Sequence, residues 1–449
     1  MDSIALAGGL FLLALLTAAT VLSRRAAWTA LAMLFGVCSI SKTFGASTLE
    51  GDRFTWPLNL ISDNIYIFTG VLLTVLILQA LTLGRSPIKS QLTVPAIFLV
   101  LLQFYYGVRL ILAGSAFKGP LILITFMLMA LLFLFALPNM IRNSHDVRRL
   151  ILAQCGGGAF FLIMTGYQAL FNRSLMTQNS RFSGIAINPN FAAYMLATVI
   201  PPAIWLLLDR DSRGPRKVAL QAFTALCALL LMWTGSRGAC LSAMVACAFV
   251  LRHRLGAMVF YGGGVLVFAM LIAQLLPEGS TSTERFRTLQ DTRSAVWTAL
   301  WAEFMKSPLW GSGGSTFGFS ENSYLAAGAQ LGIIGFGLIV GFLVSSLYEF
   351  QRMISRRGRS PELDSVADLV MGGIAGMLAM GMFEAHLMGA FVSEIYALFG
   401  YLTLLGFVRR RFDALDAAPA SPQASNVPPS RPGSPAAAPF GRRYAAARR

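Results

Sequence analysis

Five arginines stand in the polar stretches of an otherwise apolar chain: Arg181 in the long segment 172–190, Arg237 in the short turn between the apolar runs 217–234 and 238–251, and Arg285, Arg287 and Arg293 in the long segment 277–322. A guanidinium presents a rigid fork of N–H donors that matches phosphate oxygens. Several such forks around one cavity could hold a diphosphate. Singly, each also suits a lipid headgroup or a local acid, as Glu284 beside Arg285 and Asp291 near Arg293. As a set, among Asn188-Pro189-Asn190 and the Gly-rich run that starts at Gly311, they point to an anion site. Lys42, Asp63, Arg109, Glu384, His386 and Glu394 fall near the ends of apolar runs. Ionisable groups are costly in lipid, so they mark either the interface or a site. Glu384 and His386 could line the arginines' cavity. Glu321 precedes Asn322 where the second long segment gives way to an apolar run. A carboxylate there could accept a proton from an attacking hydroxyl; Glu321, Asn322 and Ser323 would equally suit a helix cap.

The elements that position these residues follow from composition. Of 449 residues, 56% are hydrophobic and 12% charged; soluble domains carry about twice that charge. This excludes a disordered chain, a coiled coil and an ordinary soluble enzyme. A span needs roughly 20 apolar residues, and thirteen runs qualify: about 4–22, 27–45, 60–83, 92–112, 120–137, 148–171, 189–208, 217–234, 238–251, 256–276, 323–348, 366–386 and 390–408. The expected fold is an all-α integral membrane protein of about 12–13 transmembrane helices. A large, partly helical loop, about 277–322, separates late helices. Within it, Val296, Leu300 and Phe304 predict one face of an amphipathic helix near 291–306, and Trp297, Trp301 and Trp310 suit a membrane interface.

Charge orients the spans. Basic residues crowd alternate loops, from Arg24-Arg25 through Arg142, Arg148 and Arg149 to Arg409-Arg410-Arg411. The positive-inside rule makes those loops cytoplasmic and the N-terminus external. On this topology the whole net charge of +16 lies on the cytoplasmic side, so it is an orientation signal and gives no reason to expect nucleic acid. The transmembrane domain is expected over 1–412. The Pro-, Ala- and Arg-rich 413–449 reads as a disordered cytoplasmic tail. Five cysteines in apolar runs read as small core residues, and three scattered histidines form no metal motif.

Arg181-Phe-Ser-Gly184, Asn188-Pro189-Asn190, Ser236-Arg237-Gly238-Ala239, Arg293 with Trp297, Gly311-Ser-Gly313, and Glu321-Asn322-Ser-Tyr324 with Gly332 and Gly335 occur in this order. In order and spacing they resemble the bacterial O-antigen ligase and polysaccharide polymerase superfamily over about 170–345. The resemblance implies a multi-pass inner-membrane glycosyltransferase of lipopolysaccharide or exopolysaccharide biosynthesis, with its active site facing the periplasm. Its donor would be an undecaprenyl-diphosphate-linked glycan and its acceptor a glycan or lipid A-core. No cofactor, nucleotide sugar or metal is implied. Other polysaccharide-assembly membrane proteins are candidate partners. Residues matching Arg181, Arg237 and Arg293 would grip the diphosphate, with Arg285 and Arg287 as further candidates. Asn188, Asn190, Asn322 and Tyr324 would position acceptor and loops. Ligases of this family commonly carry histidine where this chain has Glu321. That departure leans towards the polymerase branch and leaves Glu321, His386 and Glu384 as candidate bases. Inverting transfer needs a base opposite the leaving group, and neutralising the developing diphosphate charge promotes departure without a metal. A lipid-linked-glycan transporter or flippase is the alternative of another class.

Overall fold

The computed structural model describes residues 23–40, 54–83, 92–115, 117–208, 213–253, 293–313, 322–388 and 393–417. The elements are α1 (Arg24–Val37), α2 (Leu58–Asp63), α3 (Ile65–Leu83), α4 (Val94–Leu112), α5 (Lys118–Ala130), α6 (Ser144–Phe171), a hairpin of β1 (Thr177–Gln178) and β2 (Arg181–Phe182), α7 (Pro189–Leu208), α8 (Pro215–Trp233), α9 (Arg237–Leu251), α10 (Ser294–Lys306), α11 (Ser323–Ser355), α12 (Pro361–Gly381) and α13 (Ser393–Ala417). Among the described residues, eight helices are long and apolar enough to cross a membrane. The protein is an all-α, multi-pass membrane protein. Eleven of the expected spans correspond to helices; those at 4–22 and 256–276 lie outside the described residues. The last helix continues to Ala417, past the boundary expected at 413, because Asp413 is held by Arg352 at 3.2 Å and by Arg356 at 2.5 Å.

Helix starts follow local chemistry. Asn143, Asn322 and Ser360 accept hydrogen bonds from the free N–H groups of α6, α11 and α12. Pro189, Pro215 and Pro361 occupy first-turn positions, where no N–H is needed. Prolines deeper in spans free carbonyls that lipid cannot satisfy. In α7, Pro202 leaves the Thr198 carbonyl without its helical donor, and Gln154 Nε2 of α6 donates to it at 3.0 Å. Beyond α5, the span continues through a π turn (Leu131–Ala136) to Pro138. There Thr403 Oγ1 of α13 donates to Phe133 O at 2.6 Å, and Asn139 Nδ2 to Phe135 O at 3.0 Å.

Small residues bring backbones together where lipid supplies no hydrophobic drive between helices. A Cβ on Gly372 of α12 would lie 2.5 Å from Ala246 O of α9, and Ser242 Oγ donates to Gly376 O at 2.7 Å across the same seam. Ion pairs and the contacts of the connections gather at two opposite ends. One holds Arg252, His253, Arg357 and Asp368, Arg409 with Glu349, and Arg411 with Arg142 O. The other holds Thr55 with Gln168, Arg181 with Thr234, and Arg293 with Glu384. The expected charge alternation places the same residues on the same two sides.

One long helix is broken. Within α11, Gly332 has φ 67° and ψ −159°, a conformation open in practice to glycine alone. The turn 308–313 docks on the break backbone to backbone: Ser312 N donates to Ala329 O at 2.9 Å, Gly313 N to Gln330 O at 3.0 Å, and Ile333 N to Pro308 O at 2.7 Å.

Candidate functional site

The hairpin aims the first arginine. Asn179 and Ser180 both have positive φ, the pattern of a tight two-residue turn that matches strand twist. Phe182 anchors β2 edge-to-face against Phe161 of α6 and against Trp233 of α8, whose indole donates to Ser180 O at 3.3 Å. Arg181 is thereby buried. Its Nε donates at 2.6 Å to Thr234 O, at the carbonyl-rich end of α8 that favours a cation, and its Nη2 donates at 2.9 Å to Asn190 Oδ1.

Asn190 lies in the first turn of α7. Asn188 Oδ1 accepts from its N–H at 2.8 Å and so fixes the helix start. Asn190 Nδ2 donates at 2.8 Å to Glu384 Oε1. The same carboxylate oxygen lies 3.6 Å from Arg293 Nη2. Arg293, which enters α10, also donates to Phe383 O and stands 5.4 Å over the Phe383 ring. One chain of two hydrogen bonds and an ion pair, Arg181–Asn190–Glu384–Arg293, thus joins β2, α7, the 382–388 connection and the start of α10. Arg293 pairs with the Glu384 carboxylate directly and Arg181 reaches it through the Asn190 amide, so both guanidinium groups are tied into one cluster.

The start of α11 clamps the 382–388 connection. Asn322 Nδ2 donates to Met382 O at 3.0 Å while its Oδ1 caps the Tyr324 and Leu325 N–H groups. Ser323 Oγ donates to Glu384 O at 2.7 Å and accepts from Leu387 N at 3.3 Å. Tyr324 OH donates to Leu378 O at 3.0 Å. Gln103 of α4 donates to Leu387 O. Arg237 is exposed at the start of α9, next to Gly238, which packs on Phe383.

His386 is buried beneath this clamp and stacks on Tyr194 at 6.0 Å. Neither ring nitrogen has a hydrogen-bond partner among the described residues. Burial lowers its pKa to about 4, so it is neutral at physiological pH and weakly basic.

Arg181, Asn190, Arg293 and Glu384 are thus brought into direct contact, with Asn188, Asn322, Tyr324, Arg237 and His386 around them. Glu321, Arg285 and Arg287 lie outside the described residues. Thr234, Phe383 and Ser323 belong to the cluster but were not singled out from sequence. Thr234 and Phe383 receive the arginines' hydrogen bonds through backbone carbonyls, which no residue type announces. Ser323 adjoined Glu321-Asn322 in the sequence and was weighed only as a cap.

No family model matches the chain, and no curated protein matches it. Among solved structures, it is similar to a chain from "Structural coordination of polymerization and crosslinking by a peptidoglycan synthase complex", at 19% identity and a TM-score of 0.39, over 71% of this chain and 97% of that one.

Proposed function

We propose that this chain transfers an undecaprenyl-diphosphate-linked oligosaccharide or polysaccharide to an acceptor hydroxyl, by inverting, metal-independent glycosyl transfer at the periplasmic face of the inner membrane. The observation that carries this reading is the Arg181–Asn190–Glu384–Arg293 chain. It gathers two forked cations, Arg181 and Arg293, into one connected polar cluster. Arg181 and Arg293 would bind the diphosphate and stabilise its charge as it leaves. Exposed Arg237 would complete the clamp, and Arg285 and Arg287 are further candidates for it. Glu384 accepts from Asn190 and faces Arg293, which supports a positioning role for it over that of a base. His386, neutral and of low basicity, fits the tuning of a general base poorly. Both points favour Glu321 as the group that activates the acceptor. Polymerisation is preferred to ligation onto lipid A-core because glutamate stands where ligases carry histidine.

A transporter or flippase has less support. A broken helix such as α11 suits a carrier, but its freed Ala329 and Gln330 carbonyls are taken by Ser312 and Gly313 instead of facing a central cavity.

The test uses Arg181→Ala, Arg237→Ala and Arg293→Ala in cells lacking the native gene, with membrane abundance followed alongside surface glycan. Each is expected to lower glycan assembly about 10²–10³-fold, the usual loss for one transition-state donor. Full activity in all three would overturn the clamp. Glycan from the deletion strain separates the branches: single repeat units on lipid A mark a polymerase, and carrier-linked polymer with bare lipid A marks a ligase.

A further inference from the structure

Away from the Glu384 cluster, α4 and the turn docked on the break in α11 carry three buried polar atoms. Tyr105 OH, Arg109 Nε and Ser312 Oγ have no hydrogen-bond partner among the described residues. Tyr105 and Arg109 are one turn apart on α4, so they share a face. That face lies along α11: Phe98, seven residues before Tyr105, packs on Gly341. Arg109 Nη2 donates to Gly311 O at 3.3 Å, and a Cβ on Gly313 would lie 3.7 Å from the same nitrogen. Ser312 sits between these two contacts. No carboxylate among the described residues pairs with Arg109.

Buried donors are normally satisfied, and each orphan calls for a partner. A cation without an acid needs an anion. A guanidinium N–H, with one hydroxyl a helical turn away on the same face and another on the turn that the guanidinium contacts, suits the oxygens of a phosphate. The surroundings identify what carries it. Leu112 and Phe117 follow Arg109 in the chain, Leu309 and Trp310 precede Ser312, and all four are exposed. Such an exposed apolar set suits hydrocarbon chains and offers nothing to a free ion. From Ser323, beside Glu384, to Gln330, at the docked turn, is seven helical residues, roughly 10 Å, so this site is separate from the arginine cluster.

We propose that Tyr105, Arg109 and Ser312 form a binding site for the phosphate headgroup of a membrane lipid, whose chains lie against Leu112, Phe117, Leu309 and Trp310. The site does not depend on the transferase reading.

The test is native mass spectrometry of the full-length chain from detergent, titrated with phosphatidylglycerol, with diacylglycerol of the same chains, and with inorganic phosphate. The wild type is expected to retain phosphatidylglycerol at least ten-fold better than diacylglycerol and to hold no inorganic phosphate. Arg109→Gln should lose this preference. Tyr105→Phe and Ser312→Ala, which remove single hydroxyls and leave packing intact, should weaken retention about three- to ten-fold each. Arg173→Gln, which removes an exposed cation from the 172–190 segment, should change nothing. Equal retention by wild type, Tyr105→Phe and Arg109→Gln would mean the orphan atoms are merely hydrated and would overturn the proposal. So would equal retention of diacylglycerol, or binding of inorganic phosphate as tight as that of the lipid.

Discussion

Asn190 does more than its place in an Asn-Pro-Asn motif announces. Its amide faces both ways, accepting from Arg181 and donating to Glu384. Hydrogen bonds to charged groups contribute about 1.5–3 kcal/mol each, so loss of both in Asn190→Ala should destabilise the protein by about 3–6 kcal/mol, read as a lowered unfolding midpoint in detergent. A smaller loss would mean that Arg181 and Glu384 are held mainly by other contacts. His386 carries a pH signature. Burial lowers it from 6.5 to about 4, so between those values the unfolded chain binds a proton that the folded chain does not. Its contribution is complete above about pH 6.5 and is lost as pH falls towards 4, at up to about 1.4 kcal/mol per pH unit. His386→Phe keeps the stack on Tyr194 and should flatten that part of the stability curve; parallel curves for the two proteins would show that His386 is not held neutral. At this scale the sequence marked the ionisable residues well, because charge in an apolar run is conspicuous. It did not show which residues meet, since Asn190 and Glu384 are 194 positions apart.

Elements with strong hydropathy were legible almost to the residue. The run at 189–208 begins where Asn188 and Pro189 set the start of α7. Features written in backbone geometry were hidden. The hairpin turns on Asn179-Ser180 instead of the more readable Asn-Gly, and its strands are two residues each. The break at Gly332 sits inside an unbroken apolar run, and hydropathy does not sense φ. It is nevertheless the more demanding position. A Cβ there would lie 2.3 Å from Leu309 O, whereas a Cβ on Gly337, five residues on in the same helix, would meet nothing within 4 Å. Gly332→Ala should therefore cost more than about 2 kcal/mol and release the 308–313 turn. Gly337→Ala should be neutral or stabilising by up to about 1 kcal/mol. Proteolysis within 308–313 and thermal midpoints distinguish the two; equal effects would mean that the break is not a fixed feature.

For the molecule as a whole, the alternation of basic loops agrees with how the contacts divide between two ends, and it makes a prediction about compartments. Ser174 and Ser355 are exposed at opposite ends. A cysteine at Ser174 should react with a membrane-impermeant thiol reagent added to whole cells. One at Ser355 should react only after the membrane is opened. The reverse pattern would invert the topology. The five native cysteines are buried or half-buried and should give little background.

The chain that joins Arg181, Asn190, Glu384 and Arg293 also sets a clock. Synthesis proceeds at about 5–20 residues per second, and 194 positions separate Asn190 from Glu384. The ribosome therefore adds the carboxylate roughly 10–40 s after the amide that binds it. For that interval the nascent chain has Arg181 in place without Glu384. The cluster is completed only when the 382–388 connection has been made, so a chain cut short before it lacks the carboxylate that links Asn190 to Arg293.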